Sequence, residues 1–368
     1  MSLAFRNEID VTVCLARGAI AAVEILPRTR PPLTRMFAGK QAGSLLSVLP
    51  RLFSLCSGAH QVAFVSAVEA ARGQVAAADA RRRRVTAVIA ERLIELLRGL
   101  FVGRLALDSG SAAAVRSMMQ AATVLGYEAA GTSYGQARRE SVARIRSALT
   151  ALGVSSEDGG PAPGSALAAH IASLDDGAFL PMPLEPSFLS TADDRDVVLR
   201  LLADGAQFSD APDLQGRVPE TGVWARRAMR DAALPSGSGP AERLKARIVE
   251  AARLCAWLEA REAGEESVSV EQGIVESYDL GNGRGAAAVE CARGRLYHLV
   301  ELDGEERISR FEFLAPTEWN FHPRGPLVRV LQGSEFSGGR QGDAVRAMVG
   351  SFDPCVAFSL TFREAAHA

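Results

Sequence analysis

Apolar positions alternate near the start of the chain and then change period. Ile9, Val11 and Val13 recur every second residue, Arg17-Gly18 supplies a turn, and Ile20 to Leu26 returns, which predicts a β-hairpin. Residues 27–50 are rich in proline and basic residues and read as irregular. From Ser57 to about Gly103 the period is helical. Val62, Val65, Val68 and Ala71 recur every third position, and Val85, Val88, Ile89, Leu93, Leu96 and Leu97 then share a face. Helices are also expected around 111–125 and 137–152, and Leu244, Ile248, Ala251, Cys255 and Leu258 mark another. Breakers at 155–165 and 234–240 read as loops. Strand pattern returns from about 286 to 315, where Leu296–Leu302 and Ile308–Leu314 flank the turn Asp303-Gly304. The rest of the chain reads as short elements. This order predicts an α+β fold, mainly helical, with a helical centre and β-hairpins from the N-terminal and C-terminal regions. Residues 1–368 are expected to form a single domain.

Composition narrows the function classes. A chain of 368 residues with 48% hydrophobic content can bury a sizeable core. A net charge of −2 argues against a dedicated nucleic-acid or membrane-surface binder. No uncharged apolar run is long enough to span a bilayer, and the N-terminus MSLAFRNEID has no signal core. The five cysteines (Cys14, Cys56, Cys255, Cys291 and Cys355) are odd in number and widely spaced, which suggests thiols rather than a disulfide framework. The expected compartment is therefore cytoplasmic.

Two thiol segments carry candidate chemistry. In Arg51-Leu-Phe-Ser-Leu-Cys56-Ser57-Gly-Ala-His60, Cys56 stands just before a helical pattern with Ser57 as a possible N-cap. A positive helix end lowers a thiol pKa and favours the metal-binding thiolate, and His60 four residues on would share its face. In Ser351-Phe-Asp353-Pro354-Cys355, Asp353 is a favoured N-cap and Pro354 a favoured first helical residue, so Cys355 is also expected in a first turn. The plain alternative is a small buried Cys with a helix His, and an ordinary capped turn with an incidental Cys. Elsewhere, Cys255 reads as core, Cys14 has no ligand-spaced neighbour, and Cys291 reads as a packed strand cysteine two residues from Arg293. Arg81–Arg84 reads as a solvated helix face and Gly281–Gly285 as a turn. His170, His322 and His367 have no partner visible in sequence.

Together the two segments resemble the metal-binding motifs of nickel–iron hydrogenase large subunits, Arg-x-Cys-Gly-x-Cys-x-x-x-His and Asp-Pro-Cys-x-x-Cys. Arg51, Cys56 and His60 match the first, with Phe53 at its first Cys and Ser54 at its Gly. Asp353, Pro354 and Cys355 match the second, with Phe358 at its second Cys. Glu290-Cys291-Ala292-Arg293-Gly294 followed by His298 resembles Glu-x-Pro-Arg-Gly-x-x-x-His, and Pro316-Thr-Glu-Trp-Asn320 resembles Pro-Thr-x-Trp-Asn. Residues 155–240 match poorly. The resemblance implies a large-subunit-like fold without a normal nickel–iron centre, because Phe has no lone pair to donate.

Within that resemblance, the halved thiol set is similar to the hydrogenase expression/formation proteins of the HupK/HoxV family. That implies no catalysis. It implies a maturation scaffold or chaperone that transiently holds an iron–cyanide–carbonyl unit before transfer to the large subunit, with no nickel. Cys56 and Cys355 would hold iron from two helix starts, with sulfurs within about 6 Å of each other. His60, Asp353 and Arg293 would surround it, Arg293 facing the cyanides. Phe53 and Phe358 would fill the lost ligand positions. The implied partners are hydrogenase maturation chaperones and the large-subunit precursor, with no nucleic acid and no membrane. The alternative is a metal-free structural or regulatory pseudo-subunit contacting hydrogenase or its maturation proteins.

Overall fold

A computed structural model describes residues 7–16, 18–102, 108–125, 132–174, 187–231, 239–264, 272–332, 334 and 341–364. The N-terminal hairpin forms as β1 (Glu8–Ala16) and β2 (Ala19–Leu26), with Ile9, Val11 and Val13 buried. Gly18 takes φ 84° at its turn, and Arg17 lies outside the described residues. A second sheet is an antiparallel meander of β3 (Val275–Gly281), β4 (Arg284–Cys291), β5 (Gly294–Leu302) and β6 (Ile308–Leu314). It starts earlier than the sequence pattern suggests, because β3 is polar at alternate positions. The segment Gly281–Gly285 turns between β3 and β4 as expected. A last strand, β7 (Ala357–Glu364), adds to β1 in parallel and ties the end of the chain to its start.

In chain order between β2 and β3 come the helices Ser57–Ala71, Ala78–Phe101, Ser109–Leu125, Thr132–Ala151 and Pro240–Glu262, close to the expected spans. The first packs on β4 and β5. Gly285 and the run Ala286, Ala287, Ala288 let it approach closely, since a side chain at Gly285 would run into the helix backbone. Cys255 and Leu258 are buried on the Pro240–Glu262 helix, as its apolar face requires. Residues 155–165 form turns, with Ser165 capping the helix Ala166–Ala172. Of the second breaker, 234–238 lie outside the described residues, and Pro240 opens a helix. The poorly matching stretch carries short helices not read from sequence, Asp194–Asp204, Ala206–Asp210 and Val223–Arg230. Arg81, Arg82 and Arg84 pair with Glu276, Asp79 and Glu69. Among the described residues, no helix is long and apolar enough to cross a membrane. The fold is α+β and mainly helical.

Candidate functional site

Cys56 is itself the N-cap of the Ser57–Ala71 helix, in the left-handed region at φ 54°, ψ 33°. Its carbonyl accepts the His60 N–H at 3.0 Å. The expected Ser57 cap does not form, because Glu91 reaches across from the Ala78–Phe101 helix. Its two carboxylate oxygens accept the N–H groups of Gly58 and Ala59, each at 2.7 Å. The positive helix end thus faces a carboxylate, not the thiol. A hydrogen bond with Cys291 and burial push the Cys56 thiol well above its ordinary range, with Glu91 adding to the rise and Arg293 opposing it. This corrects the expectation that the helix end favours a Cys56 thiolate.

His60 comes from the same helix and is buried. Its Nδ1 lies 2.9 Å from Nε2 of His298 on β5. Burial holds both rings neutral, His298 at about 3, with Arg28 also opposing a charge on His60; among the described residues no carboxylate partner raises either. One ring must donate and the other accept. Phe53 lies flat on His60, ring centroids 3.6 Å apart at 1°. It occupies a matched ligand position with a stacked hydrocarbon face.

The β4–β5 hairpin tip delivers the next residues. Cys291 and Gly294 form its last pair, leaving Ala292-Arg293 as the turn. Gly294 has φ 132° and a side chain there would meet the Gly222 nitrogen at 2.8 Å, so only glycine closes the tip. Arg226 holds the tip's backbone, donating to the carbonyls of Cys291 at 3.3 Å and Ala292 at 3.1 Å, and is itself paired with Glu250 and Glu290. Asn320 clamps the neighbouring Thr221 backbone with two hydrogen bonds, 3.0 and 2.9 Å. Arg293 then lies with Nη1 3.3 Å from Cys56 Sγ and 3.1 Å from Glu95, and Nε 3.5 Å from Asp353. Burial works against its charge, but Asp353, Cys56, Glu95 and Cys355 together raise its pKa. Its Nε is buried without a hydrogen-bond partner.

The C-terminal arm departs from expectation. Asp353 adopts φ 50° after the Gln341–Ser351 helix, and no helix starts at Cys355. The following residues instead satisfy their backbone groups by pairing with β1. Thr317 fixes Cys355, donating its hydroxyl to Sγ at 3.0 Å and accepting the Cys355 N–H at 3.3 Å. Arg28 pairs with Glu318 at 2.8 Å, and its charge works against protonation of His60. A cavity of about 330 Å³ is lined in part by Arg28, Thr317 and Glu318. Phe358 sits opposite Ile9 and packs with the hydrophobic cluster of β1, β2 and β7, whereas Phe53 belongs to the main core.

Arg293 thus bridges Cys56 and Asp353, which stands two residues before Cys355, while His60 pairs with His298 and stacks on Phe53, and Phe358 packs elsewhere. Among the described residues, no group of three or more His, Cys, Asp or Glu is spaced to hold a metal ion. Two thiols with Phe at the other matched positions do not fit a four-thiolate nickel centre. Sequence reasoning missed Cys291 as the partner of Cys56, and also Glu91, Glu95, Arg226 and Thr317. Only Cys291 left a signal, its spacing of two from Arg293. Cys255 is buried and pushed up to about 12 by burial, Cys14 lies at a bulge in β1, and His322 accepts the Arg324 N–H. His367 lies outside the described residues.

The nickel-dependent hydrogenase family model matches residues 228–360. Solved structures with the same fold include the nickel–iron–selenium hydrogenase of Desulfovibrio vulgaris Hildenborough, with a TM-score of 0.60 at 14% identity over 93% of this chain and 94% of that one. A NAD+-reducing nickel–iron hydrogenase gives 0.58 at 15% identity over 92% and 93%. The fold is that of nickel–iron hydrogenase large subunits. Over its full length the chain is 63% identical to the whole of the hydrogenase expression/formation protein HupK of Bradyrhizobium diazoefficiens. It is 37% identical to HupK of Rhizobium leguminosarum over 98% of this chain and 97% of that protein. It is 29% identical to HoxV of Cupriavidus necator over 91% and 92%. The chain belongs to the HupK family of hydrogenase expression/formation proteins.

Proposed function

We propose that this protein is a non-catalytic cytoplasmic scaffold of nickel–iron hydrogenase maturation. It holds an iron–cyanide–carbonyl unit on Cys56 and Cys355 and passes it to the large-subunit precursor, working with maturation chaperones. The carrying observation is Arg293, a buried guanidinium 3.3 Å from Cys56 Sγ and 3.5 Å from Asp353. Its N–H groups can donate to a cyanide nitrogen of a unit held on Cys56. Iron is cargo here, supplied and removed, and two thiols hold it less firmly than four would. His60, held by His298, and Asp353, paired with Arg293, flank the thiols and orient what is bound there. The arms come from both ends of one body, so residues 1–368 act as a single unit.

Iron analysis of protein purified without oxygen from a host that makes hydrogenase tests this. Wild type is expected to carry iron, and folded Cys56→Ser and Cys355→Ser proteins to carry none and to fail in supporting hydrogenase formation. Full support by both variants overturns the scaffold. That result fits a metal-free pseudo-subunit, the reading favoured by the protonated Cys56 thiol and the lack of a three-ligand group among the described residues.

A further inference from the structure

We propose that a cavity between the Thr132–Ala151 and Pro240–Glu262 helices binds a small carboxylate with an apolar body, and that the Arg253 guanidinium recognises the carboxylate. The cavity measures about 300 Å³, and small-ligand pockets begin at about that size. Leu149, Val154, Val249 and Ala256 line it, and the Cys255 thiol, kept neutral by burial, adds to the apolar wall. Residues 155–159 close one side. Gly159 permits this, because it takes φ 70° and a side chain there would meet the Ala252 Cβ at 2.8 Å.

Two arginines line the cavity, and they differ. Arg146 is engaged, its Nε donating to Glu259 at 2.6 Å. Arg253 is half-buried and forms no hydrogen bond and no ion pair among the described residues, and its Nε is buried without an acceptor. Glu250, one turn earlier on the same helix, is already shared by Arg92 and Arg226. The acids of the closing loop do not serve either: Asp158 accepts the Gly160 N–H at 2.9 Å, and Glu157 is exposed. A partly desolvated cation beside apolar walls is therefore left without its anion. A carboxylate matches the planar fork of a guanidinium with two parallel hydrogen bonds, and an apolar body displaces water from the walls. The cavity lining contains none of the residues around Cys56 and Cys355, so this site does not depend on the iron cargo.

The test titrates full-length protein with benzoate by ligand-observed NMR, with benzyl alcohol as the uncharged counterpart and acetate as the carboxylate without a body. Wild type is expected to bind benzoate saturably and about tenfold or more tightly than either control. Arg253→Met keeps the stem and removes the fork, and should weaken benzoate about tenfold or more, whereas Arg146→Met should stay within about threefold of wild type. Because removing a half-buried charge can unsettle the fold, Ala256→Phe gives a second reading at an exposed helix position. It fills the cavity and should also weaken benzoate about tenfold or more, with the circular dichroism of wild type. Absence of benzoate binding to wild type, or unchanged binding in folded Arg253→Met or Ala256→Phe, overturns the site. Benzyl alcohol binding as tightly as benzoate overturns carboxylate recognition by Arg253.

Discussion

The two thiol arms of this protein are built on different physics. Cys56 sits in the core, 5% exposed, with its helix start capped by Glu91 and its flank closed by the stacked Phe53, His60 and His298. Cys355 is half-buried at the margin, in an irregular stretch held chiefly by the Thr317 hydroxyl and by β7 lying along β1. One arm is fixed by packing and charge, and the other by a few hydrogen bonds at a sheet edge. On the proposed scaffold reading this inequality would help release, since one thiol could let go without disturbing the core. The difference also teaches that a matched motif does not transmit its local geometry. Both cysteines align with ligand positions, yet one caps a helix in a left-handed conformation and the other precedes a strand.

The largest expected effect breaks the comparison at its aromatic positions. Phe53→Ala should cost about 3–5 kcal/mol in denaturant unfolding, because the cavity opens against His60 in a close-packed core. Phe358→Ala should cost about half that or less, as its side chain is only partly buried. Equal losses would remove the distinction between the arms.

Acid separates the arms next. The folded state keeps His60 and His298 below their ordinary value of 6.5, so it resists taking up protons that the unfolded chain accepts. Their contribution is complete above about pH 6.5 and declines as pH falls below it, by about 1.4 kcal/mol per pH unit for each ring, until His298 titrates at about 3. Unfolding free energies measured from pH 7 to pH 4 should show this slope, and His298→Asn should reduce it by roughly half. A flat profile would mean the two rings are hydrated. A smaller effect is expected at the cap: Glu91→Gln should destabilise by about 1–2 kcal/mol, since a charged double cap becomes a neutral single one. Smallest of all, Thr317→Val should change stability by about 1 kcal/mol or less while loosening Cys355, seen as faster alkylation of that thiol.

Where local pattern determines structure, the sequence was legible. The β1–β2 alternation, the apolar face of the Pro240–Glu262 helix and the Asp303-Gly304 turn all carry their own periodicity or turn chemistry. The site was legible only as a set of residues. Glu91 is 35 positions from the cysteine whose helix start it caps, and no spacing rule links a helix end to a carboxylate on another helix. Asp353-Pro354 offers a good helix start, but β1 provides a better partner for the residues after Cys355, and tertiary pairing wins over local propensity. Cys291 looked like core because it is core; its partner comes from the far side of the chain.

The most direct test of the scaffold is infrared spectroscopy of the protein isolated without oxygen from a host with its full set of hydrogenase maturation genes. Cyanide and carbonyl stretches fall in a window free of protein bands. Wild type should show both, and Cys56→Ser and Cys355→Ser should show neither while remaining folded. A wild-type spectrum empty in that window, from a host in which hydrogenase is being matured, would contradict the claim that this protein carries the iron unit.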